Sequence, residues 1–116
     1  MKRPEKIKAT FLSEIDKHLN DLITGKVETM FEIYKFAELL HIHPIHLSTT
    51  IKSYTGKSAC NFYQTKILES AKILLVNTDK PIQDIAYLLT YDPSNFTKAF
   101  KRVTGMTPKQ FREQNT

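Results

Sequence analysis

The chain repeats itself. Shifted by 49 residues, the stretch from Ile33 to Phe62 lies over Ile82 to Phe111 without a gap. Nine positions are identical: Ile33/Ile82, Ala37/Ala86, Leu39/Leu88, Leu40/Leu89, Pro44/Pro93, Lys52/Lys101, Thr55/Thr104, Gly56/Gly105 and Phe62/Phe111. Average residue usage gives roughly two such matches by chance in a window of that length. Leu47/Phe96, Ser48/Thr97, Ile51/Phe100 and Ser58/Thr107 match in kind. A period of 49 residues fits no common solenoid, and stacked arrays need three or more copies. The chain is therefore constrained to one structural unit used twice.

Periodicity says what the unit is. Ile33, Phe36, Ala37 and Leu40 fall on one helical face, as do Ile82, Ile85, Ala86 and Leu89. Both runs break, at His41-Ile42-His43 and at Thr90-Tyr91-Asp92, and a proline follows each break. Proline suits the first position of a helix, where its missing N–H has no intrahelical partner to lose. Asp92 is a good N-cap, since its carboxylate accepts from free backbone amides, and His43 is a poorer one. The second helices turn Leu47 and Ile51, or Phe96 and Phe100, inward, and they end at Gly56 and Gly105, which can take the left-handed conformation of a helix terminus. Each copy reads as helix, tight turn, helix, with a small residue at the crossing (Ala37, Ala86) and an apolar one in the turn (Ile42, Tyr91). A plain helical hairpin of a bundle shares this pattern. Two copies in a basic chain favour a nucleic-acid reader.

The remaining segments also predict helices. Phe11, Ile15, Leu19 and Leu22 form the apolar stripe of a first helix, and the stretch from Ile23 to Phe31, with Gly25, predicts a loop. Ser58 caps a long helix running to about Val76, with Phe62, Ala71, Leu74 and Leu75 inward, and Thr107-Pro108 opens a short last helix containing Phe111. The expectation is an all-α fold of about seven helices. Residues 1–31 hold the first helix, 32–57 the first helix-turn-helix, 58–79 a central linking helix, and 80–116 the second helix-turn-helix with the C-terminal helix.

Composition agrees. At 116 residues, with 41% apolar and 25% charged side chains, the chain can hold a core without metal or disulfide staples. Its single cysteine, Cys60, leaves no internal disulfide, which fits a reducing compartment and a cytoplasmic location. No apolar run is long enough for a membrane span. The start, Met1 to Lys6, is basic without the apolar run of a signal peptide. The net charge is +5. From Lys80 to Thr116 six basic residues face three acidic ones, against six and five from Met1 to Phe31, so the positive excess lies toward the C-terminus. A basic domain of this size points to nucleic acid or another anionic surface.

These residues resemble the DNA-binding domain of the AraC/XylS transcription regulators, a bacterial family, over roughly Phe11 to Arg112. The resemblance is carried by the stretch from Ala37 to Pro44, by Leu47-Ser48, by Thr55 to Ser58, and by Ala71 to Leu75 with Thr78 to Ile82. Asp84-Ile85-Ala86, then Asp92 through Arg102, then Thr104 to Pro108 with Phe111-Arg112 complete it. Three departures stand out. Thr90 occupies a place where many members have glycine, in a turn one residue shorter. Ile67 stands where many have arginine. The loop from Ile23 to Phe31 is longer than usual. The resemblance implies a monomer that inserts two recognition helices into successive major grooves of double-stranded DNA. A helix from Ser58 to Val76 would span roughly 28 Å, near the 34–36 Å between groove faces one DNA turn apart. DNA bending, at a cost of roughly 1–6 kcal/mol, would meet the mismatch. RNA polymerase and a sensor domain absent from this chain are further partners that the resemblance implies, the chain being a stand-alone regulator or a C-terminal piece.

Base-reading positions are the solvent-facing ones near the start of each second helix. In the first copy these are Ile45, His46, Ser48 and Thr49, with Ile45 and Thr49 favoured by the family's matched positions. They offer apolar contact to a thymine methyl and short hydroxyl bonds. In the second copy they are Ser94, Asn95, Thr97 and Lys98, where Asn95 could pair with adenine and Lys98 could donate to guanine. Lys52, Lys101 and Arg102, with Lys57, are placed for phosphates. His41, His43 and His46 are close in sequence, yet they fall where the fold needs a cap and a groove-facing residue, so no metal and no cofactor is expected. With no nucleophile motif, phosphate loop or acid pair, no enzyme is expected either. The alternatives are an architectural DNA binder without sequence preference and an interaction module that does not bind DNA.

Overall fold

A computed structural model describes residues 3–115. Seven α-helices account for its regular structure, and no strand occurs among the described residues: α1 (Pro4–Ile23), α2 (Ile33–Leu39), α3 (Pro44–Thr55), α4 (Ala59–Asn77), α5 (Ile82–Leu88), α6 (Pro93–Thr104) and α7 (Pro108–Gln114). The chain divides into two compact units that part inside α4, between Lys66 and Ile67.

In the first unit α1, α2 and α3 pack on one another. The α1 stripe starts earlier than the sequence suggests. Pro4 sits at the first helical position, and Ile7 joins Phe11, Ile15, Leu19 and Leu22 in the core. Phe36 of α2 is fully buried at the centre, edge-on to Phe11 at 5.7 Å and to Tyr63 at 5.0 Å between ring centroids. Leu40, Leu47 and Ile51 close the core around it. Phe62, expected inward, is only half-buried, with the Lys8 ammonium 5.8 Å from its ring centroid. Tyr63 takes the core place instead and donates its hydroxyl to the Phe31 carbonyl at 2.8 Å. The polar tip explains why a tyrosine stands there, since a buried phenol needs a partner.

In the second unit α5 and α7 pack on α6. Leu68, Ala71, Leu74 and Leu75 of α4 are buried, as are Ile85, Ala86 and Leu89, and Phe96 and Phe100 of α6. Phe100 meets Phe111 edge-on at 5.4 Å. Ile67 is buried at 5% exposure. The α7 end secures α4: Arg112 donates from Nε to the Leu75 carbonyl at 2.9 Å and from Nη2 to that of Thr78 at 3.3 Å. A cation on the last carbonyls of a helix also favours the helix dipole.

The repeat extends to individual bonds. After α2, the His41 amide donates to Glu38 and the Ile42 amide to Ala37; after α5, Thr90 donates to Tyr87 and Tyr91 to Ala86. This pairing is the Schellman closure, whose pivot residue must be left-handed. His41 (φ 59°) and Thr90 (φ 62°) take that conformation although neither is glycine. A side chain there costs about 1 kcal/mol, and more for a β-branched residue such as Thr90. Gly56 and Gly105 end α3 and α6 with φ of 81° and 83°, where the same conformation is free of that cost.

Candidate nucleic-acid interface

The two second helices are built alike and presented alike. α3 begins with Pro44 behind a His43 cap, whose Nδ1 accepts from the Ile45 amide at 3.1 Å. α6 begins with Pro93 behind Asp92, whose carboxylate accepts from the amides of Ser94 (3.1 Å) and Asn95 (3.2 Å). The aspartate satisfies two orphan amides and places a negative charge at the positive helix end, while the imidazole satisfies one.

Burying Leu47 and Ile51 turns the other face of α3 outward. Ile45 is 70% exposed, and His46, Ser48, Thr49 and Lys52 are exposed with it. Burying Phe96, Ala99 and Phe100 does the same for α6, leaving Ser94, Asn95, Lys98, Lys101 and Arg102 exposed. Thr97 is half-buried, at the margin of that face. Ile45 at the head of α3 and Tyr54 near its end are the exposed large apolar side chains of that helix. Exposed Lys57 follows the end of α3.

The matched lysines differ. The Lys52 ammonium donates to the Gly56 carbonyl at 3.0 Å, across the end of its own helix. No side-chain partner is found for Lys98, Lys101 or Arg102 among the described residues. α6 thus offers three open cations and α3 offers hydroxyls, an imidazole and an apolar side chain.

Two open recesses flank α3. One, of about 380 Å³, lies between Thr49, Lys52 and Ser53 on one side and Ser58 and Cys60 on the other. The second, of about 490 Å³, runs from His46, Thr49 and Tyr54 to Pro4 at the start of α1. α3 therefore stands as a ridge, and Ser53, Tyr54, Cys60 and Pro4 border it. None of these four was singled out for the DNA face from the sequence. Ser53 and Tyr54 lie late in α3, away from its N-terminal turn, and Pro4 and Cys60 come from α1 and α4. Among the described residues, no three His, Cys, Asp or Glu side chains are grouped to hold a metal ion. None of the helices is long and apolar enough to cross a membrane.

The helix-turn-helix domain family model matches residues 36–114. YtdP and YobQ, uncharacterised HTH-type transcriptional regulators of Bacillus subtilis, are each 32% identical to the chain, over 86% and 87% of it. AdaA of the same organism, a bifunctional transcriptional activator and DNA repair enzyme, is 30% identical over 86% of the chain. The chain spans only 13%, 39% and 50% of these three relatives. Among solved structures, the C-terminal domain of AraT, a response regulator from Geobacillus stearothermophilus, aligns with a TM-score of 0.79 at 30% identity, covering 97% of the chain and 88% of that domain. The DNA-binding domain of AdpA, solved with a target DNA, shares the fold at a TM-score of 0.70 and 19% identity, over 89% of the chain and 90% of that domain. With the family pattern running from Phe36 to Gln114 across both copies of the repeat, the chain belongs to the AraC-type helix-turn-helix family of transcription-regulator DNA-binding domains.

Proposed function

We propose that this chain is a sequence-specific reader of double-stranded DNA that places α3 and α6 in successive major grooves of one duplex. One observation carries the reading: two helices built on the same turn each hold their apolar residues inward and turn a base-competent face outward. On α3 the bases meet Ile45, His46, Ser48 and Thr49. The first of these suits a thymine methyl and the hydroxyls suit either purine or pyrimidine edges. On α6 they meet Ser94, Asn95, Thr97 and Lys98, with Asn95 fitted to adenine and Lys98 to guanine. Lys52, Lys101 and Arg102 face the phosphates, which set register and make affinity fall with salt. Residues 32–57 and 80–116 are the two reading parts, residues 58–79 link them, and residues 1–31 complete the first. The protein acts in the cytoplasm, without catalysis of its own, alongside RNA polymerase and a sensor domain absent from this chain.

Selection from a library of randomised duplexes by the purified chain near physiological salt tests this. Enrichment of two short blocks about one helical turn apart is the expected result. Binding at low salt with no enriched sequence would defeat it and favour an architectural binder. That second reading draws on one observation, the short side chains of Ser48 and Thr49, which discriminate bases weakly. No salt-sensitive binding at all would leave an interaction module.

A further inference from the structure

Near its end, the loop of residues 24–32 between α1 and α2 holds one residue, Phe31, by both its backbone amide and its carbonyl. The Phe31 amide donates to Nε2 of His18 at 2.9 Å, and the Phe31 carbonyl accepts from the Tyr63 hydroxyl at 2.8 Å. The Phe31 ring stacks on the imidazole, 3.8 Å between centroids and 12° from parallel. His18 itself is 3% exposed. Two residues beyond Phe31 the chain enters α2, the first helix of the first helix-turn-helix.

This arrangement fixes the chemistry of the ring. Nε2 can accept only when it carries no proton, so the single proton of the neutral imidazole sits on Nδ1. Nδ1 is buried and finds no hydrogen-bond partner. A second proton has one place to go, Nε2, and taking it there breaks the bond to Phe31. The surroundings are mixed. On α1, Glu14, Lys17 and Asp21 border a small recess beside the ring, which Leu39 of α2 also lines. Lys35 of α2 holds its ammonium 6.0 Å from the Phe31 ring centroid; α4 contributes the uncharged Tyr63 phenol and the Lys66 ammonium, which pairs with Asp16 of α1 at 3.2 Å. α3 contributes Leu47 and Ile51 to the core and no charge. Burial holds the imidazole below its ordinary range, and the Asp21 carboxylate pulls weakly the other way.

We propose that His18 is a positioning residue that makes reading by the first unit conditional on proton concentration. While the ring is neutral, Phe31 is latched and α2 enters its turn in place, which sets α3. When the ring is protonated, the latch opens and the first unit stops discriminating bases. The second unit contains no histidine, so it keeps its grip. The sign follows from the burial. The folded ring binds its proton less readily than the unfolded chain does. The latch is thus complete above the ordinary histidine value of 6.5 and is lost progressively as pH falls below it.

The inference rests on the preceding reading of α3, and the test separates the two. The full chain is titrated from pH 7.5 to 5.5 with the selected duplex and with one whose first block is scrambled. Wild type loses its preference for the intact duplex as the pH falls below 6.5, by up to about tenfold, roughly the worth of one hydrogen bond. His18→Gln keeps a carbonyl acceptor for Phe31 but cannot titrate, so it retains the preference at both ends of the range. His18→Leu loses it even at pH 7.5. Long-range proton–nitrogen NMR of the ring, assigned by its absence in His18→Gln, shows Nε2 bare in wild type. A protonated Nε2 at neutral pH, or a His18→Gln profile that follows wild type, overturns the proposal. If no duplex is enriched, the DNA reading has failed, and the ring spectrum together with the pH dependence of melting in wild type and His18→Gln still decides the latch.

Discussion

The two helix-turn-helix units share a backbone plan and differ in what they place on it. In the first, the large aromatic sits on the leading helix as Phe36 and the second helix is closed by Leu47 and Ile51. In the second, the leading helix carries Ile85 and the aromatics move to α6 as Phe96 and Phe100. Volume lost at one matched position is regained at another, which close-packed interiors require. The outward faces differ more. α3 shows Ile45, hydroxyls and His46, with its lysine folded back on Gly56. α6 shows Asn95 and three open cations. The lesson is that duplication conserves the scaffold bonds (the Schellman closure, the glycine stops, the proline starts) and leaves surface chemistry to diverge.

The comparison breaks most sharply in the cores. Phe36→Ala and Phe100→Ala should each cost about 3–5 kcal/mol, because each deletes a fully buried ring and leaves a void. Calorimetry reads the loss of stability. DNA selection should show the first block fading with Phe36→Ala and the second with Phe100→Ala. Loss of the opposite block, or of neither, would mean that the units do not read separately.

Next in size is the electrostatic asymmetry. Lys101→Ala with Arg102→Ala should flatten the dependence of log affinity on log salt by about two, at roughly 0.9 per phosphate contact. Lys52→Ala alone tests the matched position, where a drop close to one is expected. A drop close to one unit would show that Lys52 leaves Gly56 to meet a phosphate. No change would show that it stays.

The caps come third. Asp92→Ala should destabilise by about 1 kcal/mol, since it orphans two amides, and His43→Ala by roughly half as much. Equal losses in thermal melts would mean that the imidazole caps as well as the carboxylate. Of the same order is the pivot of the second turn. Thr90→Gly should stabilise by about 1 kcal/mol, because it removes the cost of a left-handed β-branched residue. An unchanged melting temperature would show that the Thr90 side chain repays its own strain.

Most of the fold was legible because the repeat supplied two independent readings of each boundary. Pro44 and Pro93, Gly56 and Gly105, and the apolar faces at Phe36 and Ile85 mark their elements by local chemistry. What escaped depended on distant partners. Nothing local says that Tyr63 rather than Phe62 enters the core, because the choice is made by the Phe31 carbonyl, far away in sequence. His18 could not be read at all, since an apolar stripe accommodates a histidine only where another segment brings it a donor. Asp92 as a cap was plain from its place before proline, whereas the Lys52 bond to Gly56 is a rotamer choice that no pattern encodes. The exposed faces of α3 and α6 followed once the buried faces were assigned.

The chain has no tryptophan and five tyrosines, of which Tyr34, Tyr54 and Tyr87 are exposed and Tyr91 half-buried. Tyr63 alone is buried, and burial pushes its hydroxyl well above the ordinary tyrosine range. Ultraviolet absorbance near the phenolate band therefore becomes an optical gauge that needs no label. As the solution is made alkaline, the Tyr63 ring ionises late, when the hold on Phe31 gives way. The late step in that titration curve reports, in one colour change, when the first unit has come apart.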